Sequence, residues 1–382
     1  MSFYIVFVSL YTLVNTLLIA RLYFALRDPS VAWPVRVGAC LLAIAFSLAF
    51  VVSRGMTGNG PALTALTFIG TFWFSLVLHA LLAWLLLEIF RLCNRRFGWL
   101  PIPPEQRARW RHRSCAGIAA VAALVSIAGW INTQYPVART VELAAPAGMT
   151  PLRIVLLSDT HLGRLASPEF FARVVDVIAP LAPDIVLFAG DILEYDYDPA
   201  DAEATAAILQ RLKPRLGIWG VLGNHEHIDG RLEMNKALLR RIGIRILVDE
   251  WAEIESAPGE KILLIGRDDR SVARFQKRER KSLAAIMADI PGGERIRILL
   301  DHQPFQLGEA EAAGIYLQLS GHTHNGQIFP FNLLAAAIYE NAHGYSARGA
   351  THYWVSSGAG TWGPRARTTG RAEIVAIDLA PQ

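Results

Sequence analysis

Five groups of potential metal ligands occur in the second half of the chain, and each follows a short apolar run that is typical of a β-strand. The runs cover residues 153–157, 185–189, 218–222, 296–300 and 316–319. The groups are, in chain order, Ser158-Asp159-Thr160-His161, Gly190-Asp191, Gly223-Asn224-His225-Glu226, Asp301-His302 and Ser320-Gly321-His322-Thr323-His324. Sites in α/β sheets assemble at the carboxyl ends of strands. We therefore expect these side chains to converge although they are far apart in sequence.

The residue types in these groups indicate which metals could bind. Aspartate, histidine and asparagine supply oxygen and nitrogen donors, and no cysteine follows Cys115. Such donors suit manganese, zinc or iron rather than a thiolate site. Two ions about 3.5–4 Å apart that share a carboxylate can activate water and bind a phosphoryl group. The pattern therefore predicts two divalent metal ions of open identity that serve the hydrolysis of a phosphate compound.

The ordered set of motifs resembles the calcineurin-like metallophosphoesterase superfamily over about residues 152–380. The longer string GHTHNGQ at 321–327 and the later segment SGAGT at 357–361 resemble one subgroup of that superfamily. This subgroup includes the bacterial YkuE- and YaeI-like phosphodiesterases and the transmembrane metallophosphoesterases, whose members often carry N-terminal membrane segments.

The resemblance implies a role for each motif residue. One metal ion would be held by Asp159, His161, Asp191 and His324. The other would be held by Asp191, Asn224, His302 and His322, with Asp191 as the bridging ligand. A metal-activated hydroxide would attack phosphorus, and His225 would protonate the leaving group or stabilise the transition state. An imidazole beside the metals can work in this way near neutral pH.

Several residues near the motifs have two interpretations each. Glu226 and His227 fit either a layer that supports the ligands or a solvated turn. Asp268 and Asp269 fit either substrate orientation or the cap of a loop. Glu194 fits either the lining of the pocket or a loop after Asp191.

Strand-like runs alternate with helical stretches throughout residues 152–382, which favours an α/β domain. Further strand runs occur at 262–265, 353–355 and 374–377. Helical stretches occur at 168–181, with Ser167 as a candidate cap, and at 200–212, 231–241 and 280–288. Helices separate the later strands less regularly, so we expect two packed sheets flanked by helices rather than one open sheet. Residues 133–151 form the predicted linker, in which 137–143 is a candidate edge strand.

Residues 1–132 predict a helical membrane anchor. Four apolar stretches cover 3–26, 37–52, 63–90 and 116–131, and the hydrophobic excess behind the chain's 53% hydrophobic content lies before residue 132. A helix needs about 20 apolar residues to span a bilayer, so the first and third are long enough and the other two need flanking residues. Buried helices of a soluble protein fit less well, because four such stretches follow one another. A cleaved signal peptide also fits less well, because the first stretch lacks a basic start and no small-residue cleavage site follows it. We interpret His79 as a hydrogen-bonded core residue and Glu88 as a residue that reaches the membrane interface.

The arginines predict how the anchor is oriented. The loop after the first stretch carries Arg27 and Arg36, and the loop after the second carries only Arg54. The loop after the third carries Arg91, Arg95, Arg96, Arg107, Arg109, Arg111 and Arg113. Short positive loops remain cytoplasmic. The fourth helix therefore ends outside, and we expect an extracytoplasmic catalytic domain at 152–382, anchored in a bacterial inner membrane.

Together these features predict a membrane-anchored phosphoesterase that hydrolyses a phosphodiester or phosphoanhydride. A lipid-linked or cell-envelope substrate fits the tether, which raises the effective concentration of substrates in the same membrane. The alternative is a membrane protein that binds metal or a phosphorylated ligand without turnover. The expected partners are a phosphate-ester substrate and membrane lipids, and the lack of a basic stripe argues against nucleic acid. The residues leave open the oligomeric state, the choice among monoester, diester and anhydride, and whether Arg365 and Arg367 clamp phosphate or lie on the surface.

Overall fold

The computed structural model describes residues 2–27, 31–56, 58, 60–146, 148–228, 230–293 and 295–380. Within these ranges the chain forms two compact units. The helical unit holds the residues up to Ile131 together with Gly363–Ala366. The sheet unit holds Asn132–Trp362 together with the residues from Arg367 onward.

Four long helices form the N-terminal part of the chain. They are α1 Ser2–Ala25, α2 Trp33–Gly55, α3 Pro61–Phe97 and α4 Arg107–Gln134, and a 3₁₀ turn at Pro104–Gln106 precedes α4. All four are long and apolar enough to cross a membrane. α2 and α3 each have a proline in the first turn, where a backbone N–H has no partner within the helix. Proline has no N–H, so no hydrogen bond is lost at this position. Gly98 ends α3 in a left-handed conformation.

Small and polar side chains bring these helices together. A Cβ atom at Gly70 on α3 would lie 2.5 Å from backbone atoms of Phe50 on α2, so glycine permits the close approach. His79 is buried, and its Nδ1 lies 2.9 Å from the carbonyl oxygen of Ser75 and 3.0 Å from the hydroxyl of Ser126 on α4. These contacts are those expected of a hydrogen-bonded core histidine.

The sheet unit contains two six-stranded sheets. The strands of the first sheet are β1 Val137–Ala144, β2 Leu152–Leu157, β3 Ile185–Ala189, β4 Ile218–Val221, β5 Arg245–Ile246 and β12 Glu373–Ala380. They lie in the order β1-β12-β2-β3-β4-β5, with β2 to β5 parallel and β12 antiparallel to β2. The strands of the second sheet are β6 Glu250–Ala257, β7 Glu260–Gly266, β8 Ile296–Leu300, β9 Leu317–Ser320, β10 Gly344–Arg348 and β11 Thr351–Val355. They lie in the order β10-β11-β9-β8-β7-β6, and the four from β11 to β7 are parallel.

Helices connect the strands of both sheets. They are α5 Pro168–Ile178, α6 Ala202–Leu209, α7 Asn224–Ile228, α8 Leu232–Ile242, α9 Val272–Phe275, α10 Leu283–Ala288, α11 Gly308–Ala312 and α12 Phe331–Ile338. Short 3₁₀ turns occur at Ala179–Leu181, Pro199–Asp201 and His324–Gly326. Ser167 precedes α5 as expected, but its hydroxyl contacts Glu169 and makes no capping bond to the backbone.

Alternating side chains of each strand fill separate apolar layers. On β2, Ile154 and Leu156 pack between the two sheets, whereas Val155 and Leu157 face α5 and α8 on the outside. A third layer lies between the second sheet and α10 and α11. Full burial of each such aliphatic side chain stabilises the fold by about 1.5–3 kcal/mol. The predicted pair of packed sheets flanked by helices is confirmed, and so are the four apolar helices before it.

Candidate metal centre

The loops that follow β2, β3, β4, β8 and β9 converge at one point, and they bring together all seven predicted metal ligands. The histidine and carboxylate donor atoms form three overlapping groups, and within each group they lie within 4.8 Å of one another. The groups are Asp159 with His161 and His324, His161 with Asp191 and His225, and Asp191 with His302 and His322. The seventh predicted ligand, Asn224, has its Oδ1 3.3 Å from Nε2 of His302.

In the first group three donor atoms face one another. The Nε2 atoms of His161 and His324 are 3.1 Å apart. Oδ1 of Asp159 lies 3.3 Å from Nε2 of His324 and 4.0 Å from Nε2 of His161. The Asp159 carboxylate also accepts a hydrogen bond of 3.1 Å from the backbone N–H of His322, which fixes its orientation.

Asp191 lies between the other two groups. Its Oδ2 is 3.2 Å from Nε2 of His302 and 4.0 Å from the Nε2 atoms of both His161 and His225. Its other oxygen accepts a hydrogen bond of 2.8 Å from the backbone N–H of His225. One carboxylate oxygen is therefore fixed by the backbone, and the other faces the imidazoles of both groups.

Five of the seven predicted ligands have a left-handed backbone, which residues other than glycine rarely adopt. The φ angles are 52° for Asp159, 47° for His161, 50° for Asp191, 70° for His322 and 49° for His324. Each such residue costs about 1–3 kcal/mol, and strain of this kind persists only where surrounding contacts impose it. Its concentration in the ligand loops indicates that these loops are shaped for function at the expense of stability.

Two glycines allow the loops to approach the carboxylates. A Cβ atom at Gly223 would lie 2.1 Å from Oδ1 of Asp191, and one at Gly321 would lie 2.3 Å from Oδ2 of Asp159. Both distances are far below a possible contact, so any side chain would displace a predicted ligand. Glycine at these two positions therefore permits the close approach of the backbone to the carboxylates.

The charges in the centre favour ionised carboxylates. Burial disfavours the charged form of Asp159, but the imidazoles of His324 and His302 outweigh burial and hold the pKa of Asp159 below its usual range. Burial also opposes the charge of Asp191, and His302 and His225 outweigh it, so that the pKa of Asp191 is well below its usual value. Burial lowers the pKa of His324 to about 4, so this imidazole is neutral at pH 7 and offers a lone pair.

The donor set fits divalent cations of the manganese, zinc and iron type. Ligating histidines usually donate their second ring N–H to a carbonyl or carboxylate oxygen. Nδ1 of His302 lies 2.6 Å from the carbonyl oxygen of Ala189, and Nδ1 of His161 lies 2.9 Å from the carboxylate of Glu194. These partners leave the Nε2 atoms directed at the aspartates, where a cation would be bound.

Glu194 connects His161 to His225. One of its carboxylate oxygens lies 2.9 Å from Nδ1 of His161 and 3.1 Å from Nδ1 of His225. Burial opposes a positive charge on His225, but Glu194 and Asp191 outweigh burial and raise the pKa of His225 to about 10. The side chain of His225 is 17% exposed, whereas those of His161 and His302 are fully buried. His225 can therefore meet a substrate at the surface of the cluster.

The sequence allows two interpretations of Glu194, the lining of the pocket or a loop, and the structure places Glu194 in the pocket. The one signal in the sequence is its position three residues after Asp191. That signal is weak, because the role of Glu194 depends on two histidines from other loops.

Glu226 supports the same loops from behind. Its carboxylate accepts hydrogen bonds of 2.7–2.8 Å from the backbone N–H groups of Ile192, Leu193 and Gly223. Burial and the charge of Asp191 raise the pKa of Glu226 to about 7. The interpretation as part of a solvated turn is wrong, because Glu226 is completely buried and joins the loops after β3 and β4.

Arg367 is also buried and lies beside a predicted ligand. Its guanidinium donates hydrogen bonds of 2.6 Å to the carbonyl oxygens of Ser357 and Gly360, and its Nη2 lies 3.2 Å from Nδ1 of His324. A surface role for Arg367 is therefore wrong. The side chain holds the SGAGT segment against the metal centre.

A buried hydrogen bond lies behind the loop after β7. Nε2 of His227 is 2.9 Å from Oδ1 of Asp268, whose other oxygen contacts Arg278. Asp269 accepts hydrogen bonds of 3.0 Å from the side-chain amide of Gln303. These contacts join Asp268 and Asp269 to neighbouring loops.

Comparison with known proteins agrees with this geometry. A family model described as calcineurin-like phosphoesterase matches residues 152–326, which include the seven predicted ligands and His225. An uncharacterised metallophosphoesterase of Campylobacter jejuni is 31% identical over 247 residues, which cover 64% of this chain and 64% of the relative. A transmembrane protein with metallophosphoesterase domain from Bos taurus is 33% identical over 276 residues, which cover 68% of this chain and 61% of the relative.

These two relatives are thus matched over less than two thirds of their own length. An uncharacterised metallophosphoesterase of Aquifex aeolicus is 30% identical over 242 residues, which cover 63% of this chain and 89% of the relative. The resemblance that the ordered motifs indicated is confirmed, including the likeness to members described as transmembrane. The chain belongs to the calcineurin-like metallophosphoesterase family.

Proposed function

We propose that this chain is a membrane-anchored phosphoesterase that hydrolyses a phosphodiester or phosphoanhydride with two divalent metal ions. The observation that carries the proposal is the convergence of ionised aspartates and imidazole nitrogens beside the partly exposed His225. A site for a structural metal would have no need of a protonated imidazole at its open side.

The residues that would hold the ions follow from the three donor groups. Asp159, His161 and His324 would hold one ion and Asn224, His302 and His322 the other, with Asp191 shared between them. Two such cations would lower the pKa of bound water and neutralise the charge of phosphoryl oxygens. Manganese, zinc and iron all accept this mixture of nitrogen and oxygen donors.

His225 would supply the proton for the leaving group. Its Nδ1 is occupied by Glu194, so Nε2 is the atom that faces the centre, 4.0 Å from Asp191. The carboxylates keep the imidazole protonated near neutral pH, as a general acid requires. Bound cations would lower this pKa toward neutrality, where transfer of the proton to an alkoxide oxygen is easier.

α12 supports a lipid-linked substrate. This helix carries no charged residue, and Phe331, Leu333 and Leu334 expose 41%, 61% and 55% of their surface. It starts shortly after the turn that contains His324, and the ring of Tyr339, which directly follows it, lies 6.1 Å from the ring of His322. Exposed apolar patches of this kind mark surfaces for apolar partners. An amphiphile with its phosphate at the metal centre could place its chain along this helix.

The arginine pattern supports an extracytoplasmic catalytic domain in a bacterial inner membrane. The ends of α1 and α3 and the start of α4 carry the arginines, and short positive loops remain in the cytoplasm. Protease treatment of intact cells with a permeabilised outer membrane tests this. Cleavage within the sheet unit is expected, and cleavage only after lysis of the inner membrane would reverse the orientation.

Activity is tested with the full chain in detergent and a generic aryl phosphodiester. Asp191→Asn and Asp159→Asn should each lower kcat/KM on the order of 10³-fold or more, because bound cations contribute several kcal/mol to such reactions. Asp176→Asn on α5, with a side chain that is 57% exposed, is the matched control and should leave kcat/KM unchanged. Full activity of the metal-stripped protein would contradict the proposal.

Binding without turnover is the alternative function. A panel of glycerophosphodiesters, polyprenyl diphosphates, nucleotide-sugar lipids and cyclic nucleotides separates the two. Turnover of any member with manganese, zinc or iron supports the phosphoesterase and identifies its substrate class. Measurable metal and phosphate binding with no turnover across the panel would favour the alternative.

A further inference from the structure

The helical unit contains a large cavity between α1, α3 and α4. Its volume is about 1210 Å³, above the range of roughly 300–1,000 Å³ that is usual for sites of drug-sized ligands. Apolar side chains line the part that lies along the middle of the helices, including those of Leu18, Leu76, Val77 and Ile118. An apolar ligand suits this part of the cavity better than water, which finds no hydrogen-bond partners on apolar walls.

Five arginines line the same cavity at one end. They are Arg21, Arg91, Arg95, Arg107 and Arg111, which lie near the end of α1, in the last turns of α3 and in the first turns of α4. Trp84 and Trp110 line it at this end as well, and tryptophan is enriched where a membrane meets water. The cavity is therefore apolar along the helices and strongly basic where the headgroups of a bilayer would lie.

Glu88 balances only part of this charge. It is the one carboxylate among the described lining residues, and it lies 2.8 Å from Arg91 and 3.7 Å from Arg21. It also accepts a hydrogen bond of 2.9 Å from the indole of Trp84, on the same oxygen, Oε1, that faces both arginines.

The remaining three arginines have no such partner. Within the described part of the chain, no carboxylate lies within ion-pair distance of Arg95, Arg107 or Arg111, and all three side chains are exposed. Guanidinium groups bind phosphate oxygens in bidentate geometry, so three of them around one opening suit a phosphate monoanion.

We infer that this cavity binds an anionic phospholipid, with its phosphate at Arg95, Arg107 and Arg111 and an acyl chain along α1, α3 and α4. A free phosphate would leave the apolar walls unfilled, and a zwitterionic lipid such as phosphatidylcholine would add a choline cation beside the three arginines. Basic pockets between membrane helices on the cytoplasmic side are known to favour acidic headgroups. The site is separate from the metal centre and does not depend on the proposed hydrolysis.

Native mass spectrometry of the full chain in a neutral detergent tests this. The probes are dioleoyl phosphatidylglycerol and dioleoyl phosphatidylcholine, which have the same chains and differ in net charge. We expect one molecule of the anionic lipid to bind at least tenfold more tightly. Each arginine near a lipid headgroup changes the binding affinity about fivefold. The double variant Arg95→Gln with Arg111→Gln should therefore weaken the binding of the anionic lipid on the order of 25-fold.

A matched control uses two nearby arginines on the same helices that do not line the cavity. Arg96→Gln with Arg113→Gln removes the same charge from the same two helices and should change the affinity less than threefold. Equal loss in both double variants would overturn the inference, because a general attraction to positive charge would then explain the binding.

A second variant tests the apolar part of the site. Ala119→Trp introduces a large side chain on the wall that α4 forms. This variant should weaken the binding of both lipids at least tenfold. Unchanged lipid binding in this variant would overturn the inference. Equal affinity of the wild type for the two lipids, or displacement of the anionic lipid by an equal concentration of inorganic phosphate, would also overturn it.

Discussion

Replacement of Glu194 by glutamine tests whether one carboxylate holds both the metal centre and the proton donor. Glutamine has the same length, but its amide oxygen is uncharged and its amide nitrogen is a donor. In the wild type, one carboxylate oxygen lies within 3.1 Å of the Nδ1 atoms of both His161 and His225. A neutral amide oxygen would accept hydrogen bonds from these two imidazoles more weakly than the carboxylate does, so at least one imidazole would lose its orientation.

The expected loss follows from these two contacts. Removal of a hydrogen bond to a charged group costs about 1.5–3 kcal/mol, which corresponds to about 10- to 150-fold in an equilibrium or rate constant. Partners of ligating histidines contribute about 10–100-fold to metal affinity or activity. We expect metal affinity to fall about tenfold through His161. At saturating metal, kcat should fall about 100-fold through His225, with KM changed less than threefold.

The assay measures kcat and KM for an aryl phosphodiester at saturating manganese, together with manganese affinity by calorimetry on metal-stripped protein. The pH dependence provides a further readout. Because Glu194 raises the pKa of His225, the variant should have a lower pKa for this acid, and the alkaline limb of kcat should move to lower pH. Glu203→Gln on α6, with a side chain that is 72% exposed, is the control. Wild-type kcat and metal affinity in Glu194→Gln would refute the reasoning.

Three further perturbations separate the site from the scaffold. Chelation should lower the Tm in differential scanning fluorimetry and manganese should restore it, since a ligand at 100 times its Kd stabilises the folded state by about 2.7 kcal/mol. A Tm that is the same with and without metal would contradict binding to the folded state. Gly223→Ala should lower kcat/KM at least about 100-fold, because its Cβ would meet Asp191 at 2.1 Å, whereas Gly292→Ala, with open space around it, should be neutral in the same assay. Asp268→Asn should destabilise the sheet unit by about 2–3 kcal/mol, read from the urea midpoint of near-ultraviolet circular dichroism, while the exposed Asp289→Asn stays within about 0.5 kcal/mol.

Continuous apolar runs were the easiest part of the fold to predict. The run at 185–189 coincides with β3 at every residue, because a strand packed on both faces is apolar throughout. The run at 296–300 coincides with β8 in the same way, although it contains Arg297. β6 was missed, because it lies at the edge of its sheet and alternates glutamate with apolar residues. α2 and α4 extend beyond their apolar cores, since the arginine-rich start of α4 is helical as well.

The motif residues of the site could be predicted because their types and order are specific. The residues that hold the ligands in place could not be predicted, because such residues are defined by their contacts with loops that are distant in sequence. Glu226 and Arg367 illustrate this. Each reads as an ordinary charged residue in sequence, and each is buried and binds backbone groups of loops that the sequence alone does not bring together.

The place of β12 in its sheet has a consequence for biosynthesis. This strand lies between β1 and β2, although nearly the whole sheet unit separates it from them along the chain. β1 pairs with β12 over its entire length, so the strand that follows the last long helix has no partner until the ribosome has made residues 373–380. Until then, the edges of β1 and β2 remain open to wrong pairing. The first sheet can therefore be completed only at the end of synthesis.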